Sequence, residues 1–486
     1  MIHQIHGLVW GPGLLMLLLA VGIFFTIRSG GFQILGFPVW WKATAGSLMG
    51  KNGRKGTGKA GTHSVTKIQA ACTALAATIG TGNIVGVATA LTAGGPGAIF
   101  WMWVSAAIGM MTAYGETSLG IVYRYRNGQG RWICGPSVYI SRGLHMPLLG
   151  LIYGCLCLMA SLGMGSMVQS NAISQTLQFS AGIPALPCAV AVTAFVLCVT
   201  AGGIGRIARV TERMIPVSAG VYMAFSLVVL VLCRRQIPGV FSEIFRYAFL
   251  PQSVLGGVGG YGIRQGFRYG IARGVFSNEA GLGSLAGLHG ATEDTTPQEQ
   301  GMWAMFEVFF DTVVICTMTA LVILCVAGGG EGLAQGKYDG AVLTAWCFQK
   351  VLGAAGEYLI GAAMAVFAFA TMIAWYFLGR QTLEAVLELL GQMRAGKRPE
   401  EAGEQKETEY GGHGERKPWR KWAEYGYLAA FGYAVFLGCV SNLATVWELS
   451  DIWNGLMAFP NILALFFLHG KVSYPSREGL EDGGRR

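Results

Sequence analysis

The sequence predicts an all-α membrane protein with eleven transmembrane helices, and three observations carry that prediction. The mean hydropathy is +0.48. Only 13% of the 486 residues are charged, about half the share found in a soluble domain. The apolar residues also fall into runs of about 20, the length of helix that crosses a bilayer. No single soluble core hides that much apolar surface. The net charge of +9 invites a nucleic-acid reading, but the basic residues stand at the ends of the apolar runs, where membrane topology puts them.

Eleven runs qualify: 8–27, 67–93, 97–123, 147–178, 184–201, 211–233, 257–289, 300–327, 355–379, 424–441 and 448–469. An amphipathic stretch, Gln381 to Met393, prolongs the ninth. No Lys or Arg precedes the first run, and Arg28 follows it without a small-residue cleavage site. The expectation is a retained helix with its N-terminus outside, not a cleaved signal. Alternation then puts the basic 28–66 segment in the cytoplasm, with Arg124, Arg126, Arg131, Arg142, Arg206, Arg209, a polar linker at 394–421 and the tail. The opposite side receives little beyond Arg234, Arg235, Arg246, Lys337 and Lys350. That asymmetry orients the chain with its C-terminus inside. Four units follow: 1–66, the N-terminal helix and basic segment; 67–233, spans two to six; 257–470, spans seven to eleven; and a tail, 471–486.

Eleven cysteines are scattered through apolar stretches, Cys72, Cys198, Cys316 and Cys439 among them, with no CxxC pair and no histidine cluster. Small buried thiols are expected.

Two spans are interrupted. The second carries Gly80, Thr81, Gly82 and Asn83 at its middle, all poor helix formers. The seventh carries Gly274, Ser277, Asn278, Glu279, Gly281 and Gly283 at the corresponding depth. Close packing on a small face would explain one glycine pair. Here each break combines glycines with a central Asn, and each opens a block of five spans. Irregular backbone at membrane depth is tolerated where it lines a cavity. Because an odd number of spans separates the two starts, the blocks have opposite topology. Inverted repeats with discontinuous first helices point to a secondary transporter with a midplane site. Half-helix N-termini offer N–H groups to a carboxylate, and carbonyl ends offer oxygens to a cation such as Na⁺. A zwitterion plus a sodium ion suits that geometry.

Two other function classes fit the sequence less well. A channel is disfavoured because nothing resembles a selectivity ring. An intramembrane enzyme is disfavoured because the histidines, at 3, 6, 63, 145, 289, 413 and 469, lie almost all in loops or at span ends. No HExxH, GxSxG or GxxxxGK[ST] pattern occurs.

The run ATIGTGNIVGVATALTAGGPGAIFWMW (77–103) resembles the alanine/glycine:cation symporters, also known as sodium:alanine symporters or amino acid carrier proteins. So do RYGIARGVFSNEAGLGS (268–284), MVQSNAISQTL (167–177), IARVTERMIP (207–216), FEVFFDTVVICTMTALVIL (306–324), FAFATMIAWYFLG (367–379) and WNGLMAFPNILAL (453–465). These stretches occur in the family's order and cover nearly the whole chain. The resemblance implies a LeuT-like 5+5 inverted repeat formed by spans two to eleven, with one extra N-terminal helix. It implies import of alanine and glycine with Na⁺ across a bacterial inner membrane. It places the substrate against Thr81, Gly82 and Asn83, against Phe276, Ser277 and Asn278, and against the side chains of Gln169 and Trp375. It places Na⁺ on carbonyls near Ala77, Ile79 and Gly80 and on the hydroxyl of Thr371. The usual Ser-Thr pair is Ala370-Thr371 here, so one hydroxyl ligand is missing.

Glu116, Glu279, Glu307 and Asp311 fall within spans, where an ionisable residue is a functional candidate. Glu307 and Asp311, four apart, share a helix face. Proton coupling through these carboxylates is the alternative to sodium, and serine or glutamine the alternative substrate. For Glu279 the expectation is a hydrogen-bonded carboxyl that braces the broken backbone. Arg264, Arg268 and Arg273 either line an entry path or pair with carboxylates.

Overall fold

The computed structural model describes residues 2–49, 66–127, 130–249, 262–334, 336, 338–396 and 418–475. Residues 50–65 of the basic segment, 257–261 of the expected seventh span, Lys337, most of the polar linker and the tail beyond 475 lie outside the described residues. Among the described residues, eight helices are long and apolar enough to cross a membrane, or nine if one bent pair is counted as a span.

In chain order the helices that matter are α1 (Pro12–Arg28), α2 (Lys67–Thr78), α3 (Gly82–Gly94) and α4 (Gly97–Tyr123). Next come α5 (Pro147–Ala181), α6 (Ala185–Thr200), α7 (Ile204–Leu232), α8 (Ile263–Asn278) and α9 (Ser284–Gly290). Then follow α10 (Pro297–Ala327), α11 (Ala354–Arg394), α12 (Pro418–Val440) and α13 (Leu443–Leu468). The bent pair is α2 and α3, which meet at 41°. α6 has 16 residues, and at 1.5 Å per residue that is about 24 Å, short of a full crossing. The expected seventh span is divided into α8 and α9.

One boundary differs clearly from expectation, one expected extension is borne out, and several short elements were not expected. α7 begins at Ile204, seven residues before the expected 211, because Gly203 at φ 77° provides a start that few other residues adopt. α11 runs unbroken for 41 residues, so the ninth apolar run and its amphipathic extension form one rod of about 60 Å. The helices Phe37–Ala43, Pro136–Gly143, Ile237–Phe249 and Gly340–Leu352 lie outside the predicted runs, as does the hairpin Tyr125–Arg126/Trp132–Ile133. All are short connectors whose apolar faces are too brief to register as spans. The cysteine expectation needs one correction: Cys198 is exposed, as is Cys155, while Cys72, Cys316 and Cys439 are buried. Cys198 projects from the outer face of α6, beside exposed Val190 and Phe195, where an apolar thiol meets lipid at no cost.

Packing relies on small residues, as expected where lipid removes the hydrophobic incentive for helices to associate. Gly266, Gly270 and Gly274 on α8 recur every fourth residue and face α4. A Cβ on Gly266 would lie 3.5 Å from the Ala98 backbone nitrogen, and one on Gly274 3.6 Å from Met102 Cα. The two backbones therefore lie in near contact. α4 also packs on α10, α2 on α7 and α11, and α5 on α11 and α13. The outer surface carries exposed Leu17, Ile23, Val221, Val231 and Phe467, as lipid contact requires.

Candidate substrate and ion site

α2 stops at Thr78, where Ile79 leaves the helical region (φ −75°, ψ 89°). The freed backbone is satisfied by side chains. Gly80 N–H donates to Asn83 Oδ1 at 2.9 Å, and Thr81 N–H to Gln169 Oε1 at 3.3 Å. Gln169 is aimed by its own amide, which donates to the Met164 carbonyl at 3.1 Å. The hydroxyl of Thr81 is buried and has no hydrogen-bond partner.

The second break is longer. α8 ends at Asn278, and Glu279 (φ 58°), Gly281 (φ 88°) and Gly283 (φ 86°) all take left-handed backbone before α9 begins. For Glu279 that conformation costs on the order of 1 kcal/mol or more. Glu116 on α4 compensates: its Oε2 accepts the N–H groups of Gly281 (3.2 Å) and Gly283 (3.1 Å) and the amide of Asn461 (3.0 Å). Tyr153 donates to the Leu282 carbonyl at 3.0 Å. Tyr139 donates to Asn461 Oδ1.

The two breaks touch. A Cβ on Gly82 would lie 2.9 Å from Ser277 Cα and 3.1 Å from its hydroxyl, so only glycine permits the approach. Asn83 Nδ2 donates to Asp311 Oδ1 at 2.6 Å, and Ser277 to Asp311 Oδ2 at 2.8 Å. Asn278 donates to Thr312 Oγ1 at 3.0 Å, while its Oδ1 accepts the Ala280 N–H at 3.1 Å. Thr371 on α11 donates to the Ala76 carbonyl at 2.7 Å, at the carbonyl end of α2. Trp375, one turn further along α11, donates its indole N–H to Glu279 Oε1 at 2.9 Å. Its ring lies against Gly165, where a Cβ would come within 2.8 Å of Cγ. All these side chains are buried.

Aromatic and ionic groups cover the α8 side of the breaks. Phe276 stacks on Trp447 with ring centroids 4.7 Å apart, and Arg273 sits 4.7 Å above the Trp447 ring. Arg273 is bidentate to Asp451 at 3.1 and 2.9 Å, and His6 reaches the same carboxylate at 3.1 Å. On the α9 side His289 bridges Gln300 (2.6 Å) and Glu307 (3.0 Å).

A family model described as "Sodium:alanine symporter family" matches residues 1–394 and 419–477. The chain belongs to the sodium:alanine symporter family. It is thus a multi-pass membrane protein of a family of transporters that couple amino acids to sodium. It is 34% identical over 476 residues to "Sodium/alanine symporter AgcS" of Methanococcus maripaludis, covering 97% of this chain and 95% of that one. It is 36% identical over 469 residues to an "Uncharacterized transporter" of Haemophilus influenzae, covering 96% and 93%. Among solved structures, MhsT in complex with L-phenylalanine superposes with a TM-score of 0.49 at 14% identity, over 85% of this chain and 100% of that one.

In this symporter the expected site residues converge in part. Asn83 and Ser277 meet at Asp311, Gly82 lies against Ser277 and Asn278 bonds the neighbouring Thr312, while Gln169, which takes the Thr81 N–H, gathers with Gly80 and Thr371 at the end of α2. Trp375 joins the group through Glu279; the backbone of that break, which Glu279 was expected to brace, is held by Glu116 instead. Phe276 turns toward Trp447. Of the three arginines, Arg273 pairs with a carboxylate. The sequence reading missed Asp451 and Asn461, and it left Glu116 without a role. The available signal was polar side chains inside apolar runs, which always need a partner at that depth. π-helical turns at Gly82–Gly86, Gly163–Val168 and Phe309–Cys316 were missed too; such turns concentrate at functional sites.

Glu116→Ala would strip three donors of their acceptor. At roughly 1–3 kcal/mol for each buried unsatisfied group, a loss of about 3 kcal/mol or more is expected. Thermal unfolding in detergent measures it, and a change below about 1 kcal/mol would mean the α8–α9 link stands without Glu116.

Proposed function

We propose that this protein imports alanine and glycine by alternating access, driven by an inward Na⁺ gradient. The observation that carries the reading is the contact of the two broken helices at Gly82 and Ser277, with the unpartnered Thr81 hydroxyl beside it. A buried hydroxyl without a partner costs roughly 1–3 kcal/mol, which a bound carboxylate would recover. The amino acid lies against Thr81, Gly82, Asn83, Phe276, Ser277 and Asn278, with Gln169 and Trp375 bounding its side chain. Sodium lies on the carbonyls of Ala77, Ile79 and Gly80 and the hydroxyl of Thr371. Support for the ion comes from Thr371, which already donates to a carbonyl of that same helix end. We assign α6 and the α8–α9 pair as spans, which makes eleven. Spans two to six (67–233) and seven to eleven (257–470) form a LeuT-like inverted repeat behind one extra N-terminal helix, with the N-terminus outside and the C-terminus in the cytoplasm.

The test is alanine uptake into proteoliposomes under an imposed gradient. Accumulation follows inward sodium and collapses when choline replaces it. Uptake that tracks a proton gradient and ignores sodium would overturn the ion assignment. Thr371→Ala removes the one side-chain oxygen from the carbonyl site. The half-saturating sodium concentration should rise about tenfold, equal to about 1.4 kcal/mol. Unchanged sodium dependence would take Thr371 out of the site.

A further inference from the structure

Away from the breaks, the outer face of α7 changes character along its length. Arg206, Arg209 and Arg213 stand on it at helical spacing, and the same face continues as Val217, Val221 and Val228, all exposed. From Arg213 to Leu232, where the helix ends, the rise is about 29 Å. That matches the hydrocarbon thickness of a bilayer, about 30 Å. The apolar stretch therefore fills the acyl layer, and the arginines lie at its edge and beyond, at headgroup depth. With Val210 and Met214 they line a surface groove of about 420 Å³. Their charge is uncompensated. Arg206 and Arg209 donate to the carbonyls of Cys198 and Gly205, each at 3.0 Å. Among the described residues, no carboxylate pairs with any of the three. Arg126, Arg131 and Arg380 differ, since they hold Glu293, Glu384 and Glu424. A guanidinium forks onto phosphate oxygens, and three of them converge on this groove.

We propose that this groove binds one anionic phospholipid, with its phosphate on the three arginines and its acyl chains along Val217 and Val221. A zwitterionic lipid brings its own cation, which the arginines repel, so charge selects an anionic headgroup. A soluble phosphate meets the same guanidiniums but gains nothing from the apolar stripe. The inference rests on α7 crossing the membrane and not on which ion drives transport. Another face of α7 holds α2: Gln69 donates to Glu212 at 3.1 Å, and the hydroxyls of Thr73 and Thr211 lie 3.0 Å apart. A lipid seated in the groove would thus steady the helix on which the first broken span packs.

The full-length protein in detergent is titrated with dioleoylphosphatidylglycerol or dioleoylphosphatidylcholine, and bound lipid is counted by native mass spectrometry. Each arginine beside an anionic headgroup is worth about fivefold in affinity. The parent should therefore hold one phosphatidylglycerol about 100-fold more tightly than phosphatidylcholine. Arg209→Gln alone should cost about fivefold, and the combined Arg206→Gln, Arg209→Gln and Arg213→Gln variant should lose the preference. Arg234→Gln with Arg235→Gln, exposed at the far end of α7, should keep it. A parent that binds both lipids alike overturns the proposal. An equal loss in the Arg234 and Arg235 variant overturns it too, because net charge alone would then explain the effect. Excess inorganic phosphate should leave the lipid in place; displacement would make the occupant a soluble anion and overturn the lipid site. Should the triple variant not fold, an unchanged preference in Arg209→Gln overturns the proposal by itself.

Discussion

Gly82→Leu is expected to abolish alanine binding while leaving the protein inserted and folded enough to purify. The first added carbon would sit 2.9 Å from Ser277 Cα, which is backbone and cannot swing aside. The rest of the leucine must then push the α2–α3 break away from the α8 end. Overpacking of this kind costs roughly 1–3 kcal/mol, and here it falls on the contact that forms the site. A loss of about 100-fold in affinity, near 2.8 kcal/mol, is the expected minimum. Asn278→Leu should act in the same direction, because it strips Thr312 Oγ1 and the Ala280 N–H of their shared partner. Equilibrium binding of labelled alanine to the purified variants measures both. Normal binding by either would reduce that break to a packing kink.

Trp375→Ala has the second largest expected effect, and it separates two roles of one side chain. The indole is fully buried against Gly165 and holds Glu279 through its N–H. Truncation should cost about 3–5 kcal/mol of stability. In the folded fraction, the space released should admit leucine or methionine while alanine weakens. One methylene in an apolar pocket is worth roughly 1–3 kcal/mol, so the ratio of leucine to alanine uptake should shift by tens of fold. Trp375→Phe keeps most of the bulk and loses the N–H, which isolates the Glu279 contact. It should lower stability by about 1–3 kcal/mol with little change in substrate profile. Competition of labelled alanine uptake by a panel of neutral amino acids reads the profile. A folded Trp375→Ala variant with the parent's profile would remove this residue from the site.

The breaks were legible because they are local. Gly80, Thr81, Gly82 and Asn83 in succession weaken a helix, and the structure bends by 41° between Thr78 and Gly82. The second break was legible for the same reason, since Gly281 and Gly283 hold backbone angles that other residues rarely take. Boundaries were less legible. The early start of α7 depends on one glycine conformation, and α6 is too short to tell from a buried segment by composition alone. Cys198 was misplaced because apolarity does not distinguish a lipid-facing position from a protein core.

What the sequence determined by itself, then, is where apolar length, charge asymmetry and helix-breaking residues fall, since each is a property of a short stretch of chain. Tertiary structure alone decided which polar groups meet. Glu116 and Asn461 are 345 residues apart, Arg273 and Asp451 178 apart, and Asn83 and Asp311 228 apart. No periodicity encodes such pairs. They exist because a polar group sealed in a membrane must find a partner on whichever helix packing brings near. Small residues such as Gly82, Gly270 and Gly165 set how near those helices come.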